Sequence, residues 1–502
     1  MEPGYLISKG LEEFAAAREQ FGCLMDQLQA EHMLRREHGD VEELISKQGT
    51  ELLRLLLQGH LDLRAARESQ RAAVRGADGV LRMHCRKGCE RALMTLFGEV
   101  TVRRMRYGAP GHVSVFALDA ELNLPGDKYS HGLRKRVAEE VAKNSFDEAV
   151  ASLERTTGGK VPKRQSEEIA VEASRDFTAF YASREAQAPE DTLDPLVMSL
   201  DGKGVVMRVE DLREGTRKAA RRARHKLKTR LSRGEKRNRK RMATVATVYT
   251  LAPQVRTPEA IMGREDEPCA ERPRAQNKRV WASLERDPHE VTEEVFQEAL
   301  RRDPEQRRVW AMLVDGHKEQ LKHIRACMQR HLVGVILILD FVHVLEYLWK
   351  AAYCFHAPGT EQAESWVGER ALQILRGNSS HVAAGMRRSA TLRQLLPKQR
   401  QAVDECAHYL LTYKDMLKYD EYLAQGLPIA TGVIEGACRH LVKDRMDLTG
   451  ARWGLQRAEA VLKLRSLASS GDSEQYWEFY KAQALRRNHT SHFASPTLQE
   501  AA

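Results

Sequence analysis

The run LVMSLDGKG at residues 196–204 places an aspartate directly after a mostly apolar stretch. The run VWAMLVDG at residues 309–316 repeats this arrangement around Asp315. A carboxylate at the end of a buried strand is costly unless something pairs with it, and a metal ion is one such partner. The glycine after each aspartate lets a phosphate backbone approach closely. We therefore predict that Asp201 and Asp315 are metal ligands, although a lone Asp-Gly pair is also typical of an ordinary turn.

A third carboxylate, Glu435, stands in the run GVIEGACRH at residues 432–440, which indicates the opening of a helix. Two aspartates from strands and a glutamate from a later helix supply the oxygen ligands that Mg²⁺ prefers. A pair of such ions about 4 Å apart activates an attacking oxygen and stabilises a leaving one during displacement at phosphorus. The sequence thus predicts that Asp201, Asp315 and Glu435 bind two Mg²⁺ (or Mn²⁺) ions and catalyse phosphoryl transfer.

A further pair, Asp340 and His343, lies in the run LDFVHVLEYLW at residues 339–349. Asp340 can hold His343 by a hydrogen bond, or His343 can contact the scissile phosphate. The alternative is that Asp340 caps a helix and His343 is structural. We place both among the predicted catalytic residues, in support of the metal site.

Short β-rich runs surround these residues, and helical patterns follow them. The predicted strands are 196–200, 205–209 (after a Gly-Lys-Gly turn), 242–251, 308–314 and 333–339. The predicted helices are 292–301, 319–331 and 343–352. Three strands followed by strands that alternate with helices are typical of an α/β RNase H-like catalytic core. We expect this core at residues 195–354 with a basic insertion at 212–241, then a helical insertion at 355–430, and a final core helix at 431–470.

The chain on either side of this core is predicted to be mainly helical. Residues 1–95 form an N-terminal helical region, and 186–194 read as a linker. Residues 96–128 are predicted to hold a small β-hairpin, because Val100 and Val102 alternate with polar residues before a Gly-rich turn at 108–111 and a second alternation at 113–117. The polar residues 471–502 are expected to form a C-terminal tail that frays.

Residues 129–185 have the outline of a helix-turn-helix DNA-binding region. Ser145 with Glu148 predicts a capping box at the start of one helix, and Pro162 opens the next after a glycine turn. The second helix would begin with Lys163, Arg164 and Gln165, whose side chains suit phosphates and base edges.

The net charge of the 502-residue chain is +10, and its pI is about 9.1. Residues 217–241 contain fourteen Lys or Arg against one acid, Glu235. Such a block repels itself unless a polyanion neutralises it, which indicates nucleic acid, although a solvated basic helix has the same composition. Trp453 either stacks on a base or is buried in the core. The other predicted DNA-binding residues are Lys203, Arg221, Arg222, Lys226, Arg237, Arg239, Lys240, Arg241, Arg439, Lys443 and Arg452.

The composition also bears on the compartment. The eight cysteines are scattered, which favours reduced thiols, and we expect a cytoplasmic protein with no membrane partner. His84, Cys85 and Cys89 form the one tight cluster, but a second ligand pair for zinc is not evident nearby.

The motifs resemble those of ISKra-type insertion-sequence transposases. The resemblance rests on SLDGKG (199–204), LVDG (313–316), LDFVHVLEYLW (339–349) and IEGACRHL (434–441), and extends to LFGEVTVRR (96–104) and TGGKVP (157–162). It implies a bacterial DDE transposase acting on the nucleoid, with Asp201, Asp315 and Glu435 as the triad and an Asp-x-x-His element at Asp340 and His343, as in Mutator-like relatives.

A transposase of this kind would bind double-stranded DNA at its terminal inverted repeats and at the target, as a homodimer or larger assembly. Two alternatives remain open at the level of sequence. One is a DNA-binding regulator or architectural protein with a non-catalytic core. The other is a structure-specific DNA nuclease.

Overall fold

The computed structural model describes residues 12–184, 188–224, 226–227, 230–232, 235, 237–263 and 273–494. These residues divide into two compact units, one within Met1–Ala182 and Asp472–Ala502 and one within Ser183–Gly471. The first unit therefore contains residues from both ends of the described chain. In the described part, no helix combines the length and apolar character needed to cross a membrane.

The helices and strands are numbered in chain order. The helices are α1 (Ala15–Gln29), α2 (His38–Ala66), α3 (Ala117–Glu121), α4 (His131–Lys143), α5 (Phe146–Thr156), α6 (Lys163–Ala173), α7 (Phe177–Ser183), α8 (Glu214–Arg222), α9 (Pro258–Ile261), α10 (Pro288–Arg302), α11 (Lys318–His331), α12 (Phe341–Ala352), α13 (Glu361–Leu375), α14 (Ser379–Leu392), α15 (Pro397–Thr412), α16 (Tyr419–Ala424), α17 (Gly432–Ala437), α18 (Asp444–Met446), α19 (Leu455–Ser470) and α20 (Ser473–Asn488). The strands are β1 (Val74–Arg75), β2 (Leu81–Arg82), β3 (His84–Thr95), β4 (Gly98–Gly108), β5 (Leu196–Val206), β6 (Lys240–Thr250), β7 (Gln276–Ser283), β8 (Trp310–Val314) and β9 (Ile336–Leu339).

The first unit contains a hairpin, but its strands differ from the predicted ones. β4 pairs antiparallel with β3, which precedes it, and Thr95 pairs with Gly98 at the turn. The expected partner at residues 113–117 contributes a single bridge between Tyr107 and Val115. The prediction of a hairpin confined to 96–128 was therefore wrong, and so was the helical assignment of residues 84–95. The reason is that the exposed face of β3 is charged, which hides its alternation.

The helices predicted to begin at Ser145 and after Pro162 are confirmed, and α4 precedes them. Ser130 caps α4, and Ser145 with Glu148 forms the capping box of α5. Pro162 precedes α6, whose Ile169 and Ala170 are buried. The capping side chains satisfy backbone N–H groups that would otherwise have no partner at the helix starts.

Residues after 471 do not form the expected frayed tail over their described length. Asp472 accepts a hydrogen bond from the Tyr181 hydroxyl at 2.7 Å, and α20 follows at once. The Tyr476 hydroxyl donates to Ala173 O at 2.6 Å, and Trp477 and Tyr480 are buried in the same unit. The burial of three aromatic side chains stabilises α20 against fraying.

The second unit is built on a five-stranded mixed sheet in the order β7-β6-β5-β8-β9. β5, β6 and β7 pair antiparallel, whereas β8 and β9 are parallel to β5. The central strands are apolar on both faces, since helices cover parallel strands on both sides. Every residue of β8 is buried, as are the first five residues of β5.

One strand prediction in this unit was wrong, and one strand was not predicted. Residues 196–206 form one strand, so Gly202-Lys203-Gly204 is not a turn and no separate strand exists at 205–209. Gly202 pairs with Thr244 and Gly204 with Met242, so these glycines continue the ladder. The fifth strand is instead β7, an edge strand whose first half is polar and exposed.

The helices predicted between residues 292 and 425 agree closely with those of the second unit. α10, α11 and α12 follow β7, β8 and β9, and α13 to α16 fill the predicted helical insertion. The single final helix expected at 431–470 is wrong, because the chain there is divided into α17, a π-helical segment, α18 and α19. Residues 188–194, predicted as part of a linker, also contact the sheet. Glu190 accepts hydrogen bonds from Thr250 at 2.6 Å and from Arg308 at 2.8 Å. The end of the expected linker is thus held to the sheet by a charge-assisted network.

Candidate active site

Asp201 lies on β5, and Asp315 directly follows the adjacent parallel strand β8. The last pair between β5 and β8 is Ser199 with Leu313, and each aspartate is two residues further along. Because side chains alternate with period two, Asp201 shares a face of β5 with Ser199. Asp315, just past the end of β8, follows Leu313 at the same spacing. Asp201 Oδ1 accepts from the Gly202 amide at 2.6 Å, and Asp315 Oδ1 accepts from the His317 amide at 2.8 Å. Each carboxylate keeps an oxygen that is not used by these local contacts.

Glu435 is brought to the same region by α17. The Cys438 thiol, one turn after Glu435, donates to Asp201 Oδ2 at 3.0 Å. After α17 the chain continues as a π-helical segment, Cys438–Lys443, a rare form that often occurs at functional sites. The Glu435 side chain is exposed, whereas Cys438 is buried. The thiol therefore holds the end of the Glu435 helix against the first aspartate.

Electrostatic effects give a second indication that these groups are close together. Burial raises the pKa of the Cys438 thiol, and the negative charge of Asp201 raises it further. Lys203 lowers this pKa and Glu435 raises it. Asp201, Lys203 and Glu435 thus all lie near one buried sulfur.

Asp340 is fully buried and joins three segments. Its Oδ1 accepts from the Val342 amide at 3.1 Å, so it caps α12 as the alternative reading expected. Its Oδ2 accepts from His343 Nδ1 at 2.8 Å and from the Thr431 hydroxyl at 2.6 Å. Thr431 immediately precedes α17, and its amide donates to Asp340 Oδ1 at 3.3 Å. Asp340 therefore links the end of β9 to the helix that carries Glu435.

His343 is both held by Asp340 and influenced by Asp315. The hydrogen bond to Asp340 raises the pKa of His343, burial opposes this, and the charges of Asp340, Asp315 and Glu346 raise it further. The histidine is thus favoured as a cation at the edge of the site. A cation there suits a phosphate better than a metal ion.

Tyrosines of the helical insertion bond to backbone carbonyls at the ends of β8 and β9. The Tyr409 hydroxyl donates to Asp315 O at 3.0 Å, and the Tyr413 hydroxyl donates to Gly316 O at 2.6 Å. Tyr419 donates to Leu339 O at 2.7 Å. Burial raises the pKa of each of these three tyrosines, so the hydroxyls stay protonated and act as donors.

The corner after Asp315 requires glycine. Gly316 has φ +86°, and a Cβ added there would lie 3.1 Å from the Tyr413 ring and 3.2 Å from the Tyr409 ring. Tyr409 also stacks on Tyr347 with ring centroids 4.1 Å apart. The insertion thus packs directly against the corner that carries the second aspartate. The sequence analysis missed these tyrosines, Thr431 and Cys438, because their partners are distant in the chain.

The donor chemistry of the site fits Mg²⁺, but the side chains are not in a ligating arrangement. Among the described residues, no three His, Cys, Asp or Glu side chains are grouped so as to hold a metal ion. Asp201, Asp315 and Glu435 are oxygen donors on three elements that converge, and Asp340 is already occupied by four hydrogen-bond donors. The His84, Cys85 and Cys89 cluster lies on β3, where a bulge separates Arg86 from Cys89.

The predicted DNA-binding residues fall into three groups. Lys163, Arg164 and Gln165 begin α6 in the first unit, where Lys163 pairs with Asp147 and the other two contact Glu168. Most of the second group is exposed in the second unit, with Lys203 half-buried on β5. This group comprises Lys203, Arg221, Arg222, Lys226, Arg237, Arg239, Lys240, Arg439, Lys443 and Arg452. His225, Lys228, Thr229, Arg233, Gly234 and Lys236 of the basic block lie outside the described residues.

Arg241 forms the third group and has a structural role. It lies in β6 and donates to Leu284 O at 2.7 Å and Asp211 O at 3.1 Å. The predicted insertion therefore ends before residue 240, where β6 begins. Trp453 is also structural, since its ring is buried and its Nε1 donates to Met446 O at 3.0 Å. Burial excludes the alternative in which Trp453 stacks on a base.

The chain was compared with protein-family models and with curated proteins, and neither comparison gave a match.

Proposed function

We propose that this protein is a DDE-type DNA transposase with an RNase H-like core, similar to the ISKra type. The observation that carries the proposal is that three elements bring Asp201, Asp315 and Glu435 toward the same end of the central strands. Asp201 on β5 and Asp315 just after β8 each lie two residues beyond the last registered pair of these strands, and α17 ends at Cys438, whose thiol donates to Asp201. The strand order, with β6 antiparallel to β5 and with β8 and β9 parallel, agrees with that of an RNase H-like sheet.

Each residue has a specific role in this proposal. Asp201, Asp315 and Glu435 would hold two Mg²⁺ ions, which supply Lewis-acid stabilisation of the attacking and leaving oxygens. His343, held by Asp340, contacts the DNA phosphate as a cation. Lys203 lies on the same face of β5 as Asp201 and reduces the repulsion between the carboxylates and DNA. Exposed arginines in α8 and in the π-helical segment bind the DNA backbone without reading its sequence.

The proposed reaction has two stages on DNA. Water first cleaves a phosphodiester at the element end, and the freed 3′-hydroxyl then attacks the target DNA. The residues at the start of α6 would contact the inverted repeats. The paired ends require a dimer or larger assembly of the protein.

The experiment uses the full chain and linear DNA that carries the inverted repeats flanking the gene. Wild type is expected to cleave the ends in Mg²⁺ and to join pre-cleaved ends with a 3′-hydroxyl to a target plasmid. Asp201→Asn, Asp315→Asn and Glu435→Gln should each keep end binding and lower cleavage by at least about 10³-fold, because each removes a charged ligand. Glu361→Gln, an exposed carboxylate at the start of α13, is the matched control and should cleave normally.

One observation favours a second candidate, a DNA-binding regulator with a non-catalytic core. It is the lack of a ready metal-binding group among the described residues. A regulator would bind the repeats and cleave nothing in Mg²⁺ or Mn²⁺. Cleavage without joining of pre-cleaved ends would instead identify a nuclease, and either result would refute the transposase proposal.

A further inference from the structure

A thiol, an imidazole and a carboxylate meet between α10 and α11 in the second unit. Glu293 lies on α10, and Cys327 and His331 lie one turn apart on α11, so the latter two share one side of their helix. His331 Nε2 lies 2.6 Å from Glu293 Oε1, and the Cys327 thiol donates to Glu293 Oε2 at 3.4 Å. One carboxylate therefore connects the other two side chains across the helix pair.

The same pair of helices forms a groove of about 300 Å³ whose walls include Glu293 and Cys327. His289 and His323 also line this groove, and their ring centroids are 6.0 Å apart. His289 lies one turn before Glu293 on α10, and His323 lies one turn before Cys327 on α11. The facing sides of the two helices thus gather three imidazoles, one thiol and one carboxylate.

An ion pair explains only part of this arrangement. Arg330 Nη1 contacts Glu293 Oε2 at 2.7 Å, and a carboxylate with an arginine and a histidine is an ordinary charged cluster. That cluster gives no role to Cys327, which is 4% exposed, because a thiol is a weak hydrogen-bond donor. Thiolate, imidazole and carboxylate together are the ligand types of Zn²⁺. The Arg330 side chain is 63% exposed, so it can move away from Glu293 into solvent.

We propose that Glu293, Cys327 and His331 bind one Zn²⁺ ion between α10 and α11. In the described chain these three side chains bond to one another and do not surround a common point. Tetrahedral zinc sets separations of about 3.5 Å between its sulfur and oxygen ligands and about 3.4 Å between nitrogen and oxygen. The observed sulfur–oxygen distance of 3.4 Å is close to the first value, and His331 has to withdraw by less than about 1 Å to reach the second. The zinc ion takes the place of the thiol proton, which passes to solvent, and its fourth coordination position faces the groove.

The surroundings of His331 restrict its movement to the direction that zinc requires. Its ring stacks on Phe296 of α10, with an interplanar angle of 14° and centroids 6.2 Å apart. The stack fixes the plane of the imidazole while the ring slides past Phe296. A zinc ion held in this way would fasten α10 to α11, and α11 begins three residues after Asp315. The site uses none of the residues assigned to Mg²⁺.

The test uses the full chain, freed of metal by a chelator, with Co²⁺ as a spectroscopic substitute for Zn²⁺. Wild type is expected to bind one Co²⁺ ion with the charge-transfer absorption of a cobalt–thiolate bond, and added Zn²⁺ should displace it. Cys327→Ser should abolish this absorption. Glu293→Gln and His331→Asn should each weaken Zn²⁺ binding, measured by calorimetry, by at least about tenfold, since even the loss of an outer hydrogen bond to a ligand has an effect of this size.

The controls remove thiols elsewhere in the chain. Cys354→Ser, just after α12, and the double variant Cys85→Ser with Cys89→Ser, on β3, should both keep the cobalt–thiolate absorption. Circular dichroism checks that each variant keeps its helix content. Glu293 and His331 are partly exposed, so their variants decide the question if Cys327→Ser does not fold.

Three results would overturn the inference. One is wild type without a cobalt–thiolate absorption, and another is an absorption that survives Cys327→Ser or disappears in either control. The third is a Zn²⁺ affinity that Glu293→Gln and His331→Asn leave unchanged. The assay contains neither DNA nor Mg²⁺, so its failure and the failure of the proposed function are distinguishable.

Discussion

Replacement of Asp340 tests whether one buried carboxylate couples the end of β9 to the helix that carries Glu435. Asp340 is 0% exposed and accepts four hydrogen bonds, two at each oxygen. In Asp340→Ala all four donors lose their acceptor. The expected loss in the free energy of unfolding is about 3–5 kcal/mol, the usual result of removing one member of a buried charged network.

Asp340→Asn is the sharper variant because it changes one atom. The amide oxygen can replace Oδ1 and keep the Val342 and Thr431 amides as donors. The amide nitrogen would replace Oδ2, which accepts from His343 at 2.8 Å and from the Thr431 hydroxyl at 2.6 Å. The hydroxyl can rotate to accept, so part of the loss is recovered. We expect a loss of about 1–3 kcal/mol, the range of one or two hydrogen bonds to a charged group.

The assay is urea unfolding followed by tryptophan fluorescence. Five of the six tryptophans, all but Trp477, lie in the second unit, so the signal reports mainly on the unit that contains Asp340. Thr431→Val removes the hydroxyl at nearly constant shape. A double-mutant cycle of Asp340→Asn with Thr431→Val should give a coupling energy of about 1–2 kcal/mol, as for residues in one network. Glu346→Gln, an exposed acid one turn after His343, is the control and should change stability by less than about 0.5 kcal/mol.

The same variant should also change the titration of His343. In wild type, Asp340 raises the pKa of His343. A group whose pKa is raised on folding stabilises the fold below its unfolded pKa, near 6.5, and this stabilisation is lost as the pH rises through the folded pKa. The stability difference between wild type and Asp340→Asn should therefore be larger at pH 6 than at pH 8.5. NMR of the imidazole proton should show a lower pKa in the variant. An unchanged pKa, together with additive effects in the cycle, would refute the coupling.

Three further predictions concern other parts of the chain. The double variant Tyr409→Phe with Tyr413→Phe removes two hydrogen-bond donors from the backbone carbonyls of Asp315 and Gly316. Its Mn²⁺ affinity, measured by calorimetry, should fall several-fold while its circular dichroism is unchanged. An equal Mn²⁺ affinity would show that the tyrosines do not position Asp315. Glu459→Gln should cost about 2–4 kcal/mol in urea unfolding, because this buried carboxylate accepts from the Ser283 hydroxyl and from two backbone amides; a loss below about 0.5 kcal/mol would contradict the role. Burial, together with the charge of Arg134, lowers the pKa of His131 to about 4. The first unit should therefore lose stability as the pH falls from about 6.5 to 4, by up to about 1.4 kcal/mol per pH unit. The variant His131→Gln should flatten this pH dependence in calorimetric unfolding.

The apolar runs that lead to Asp201 and Asp315 could be predicted because each is continuous and buried. A strand that is buried on both faces is apolar throughout and shows no alternation of polar and apolar residues. β8 and the first half of β5 were therefore recognised from composition alone. Capped helices were equally clear, as the confirmed capping box at Ser145 illustrates. In each case the signal is local, and nothing elsewhere in the chain competes with it.

The errors arose where an edge or a glycine made the local signal ambiguous. β7 and β3 expose much of their length, so their polar residues concealed two real strands. Gly202 and Gly204 suggested a turn, yet a Cβ at Gly204 would lie 2.9 Å from the Lys240 side chain. Gly204 continues the ladder beside the side chains of the neighbouring strand, and the chain does not reverse there. A single sequence does not distinguish these two uses of glycine.

The site itself depends on contacts that no local pattern contains. Asp201 is fixed by Cys438, Asp315 by Tyr409 and Tyr413, and the Glu435 helix by Asp340. Two of these tethers come from the helical insertion or the segment directly after it. The helical insertion and the end of β8 must therefore fold together, because removal of the insertion would leave the Asp315 and Gly316 carbonyls without their hydrogen-bond donors. It follows that deletion of residues 355–430 should destabilise the sheet as well as the site, whereas a simple decoration of the core could be removed without that loss.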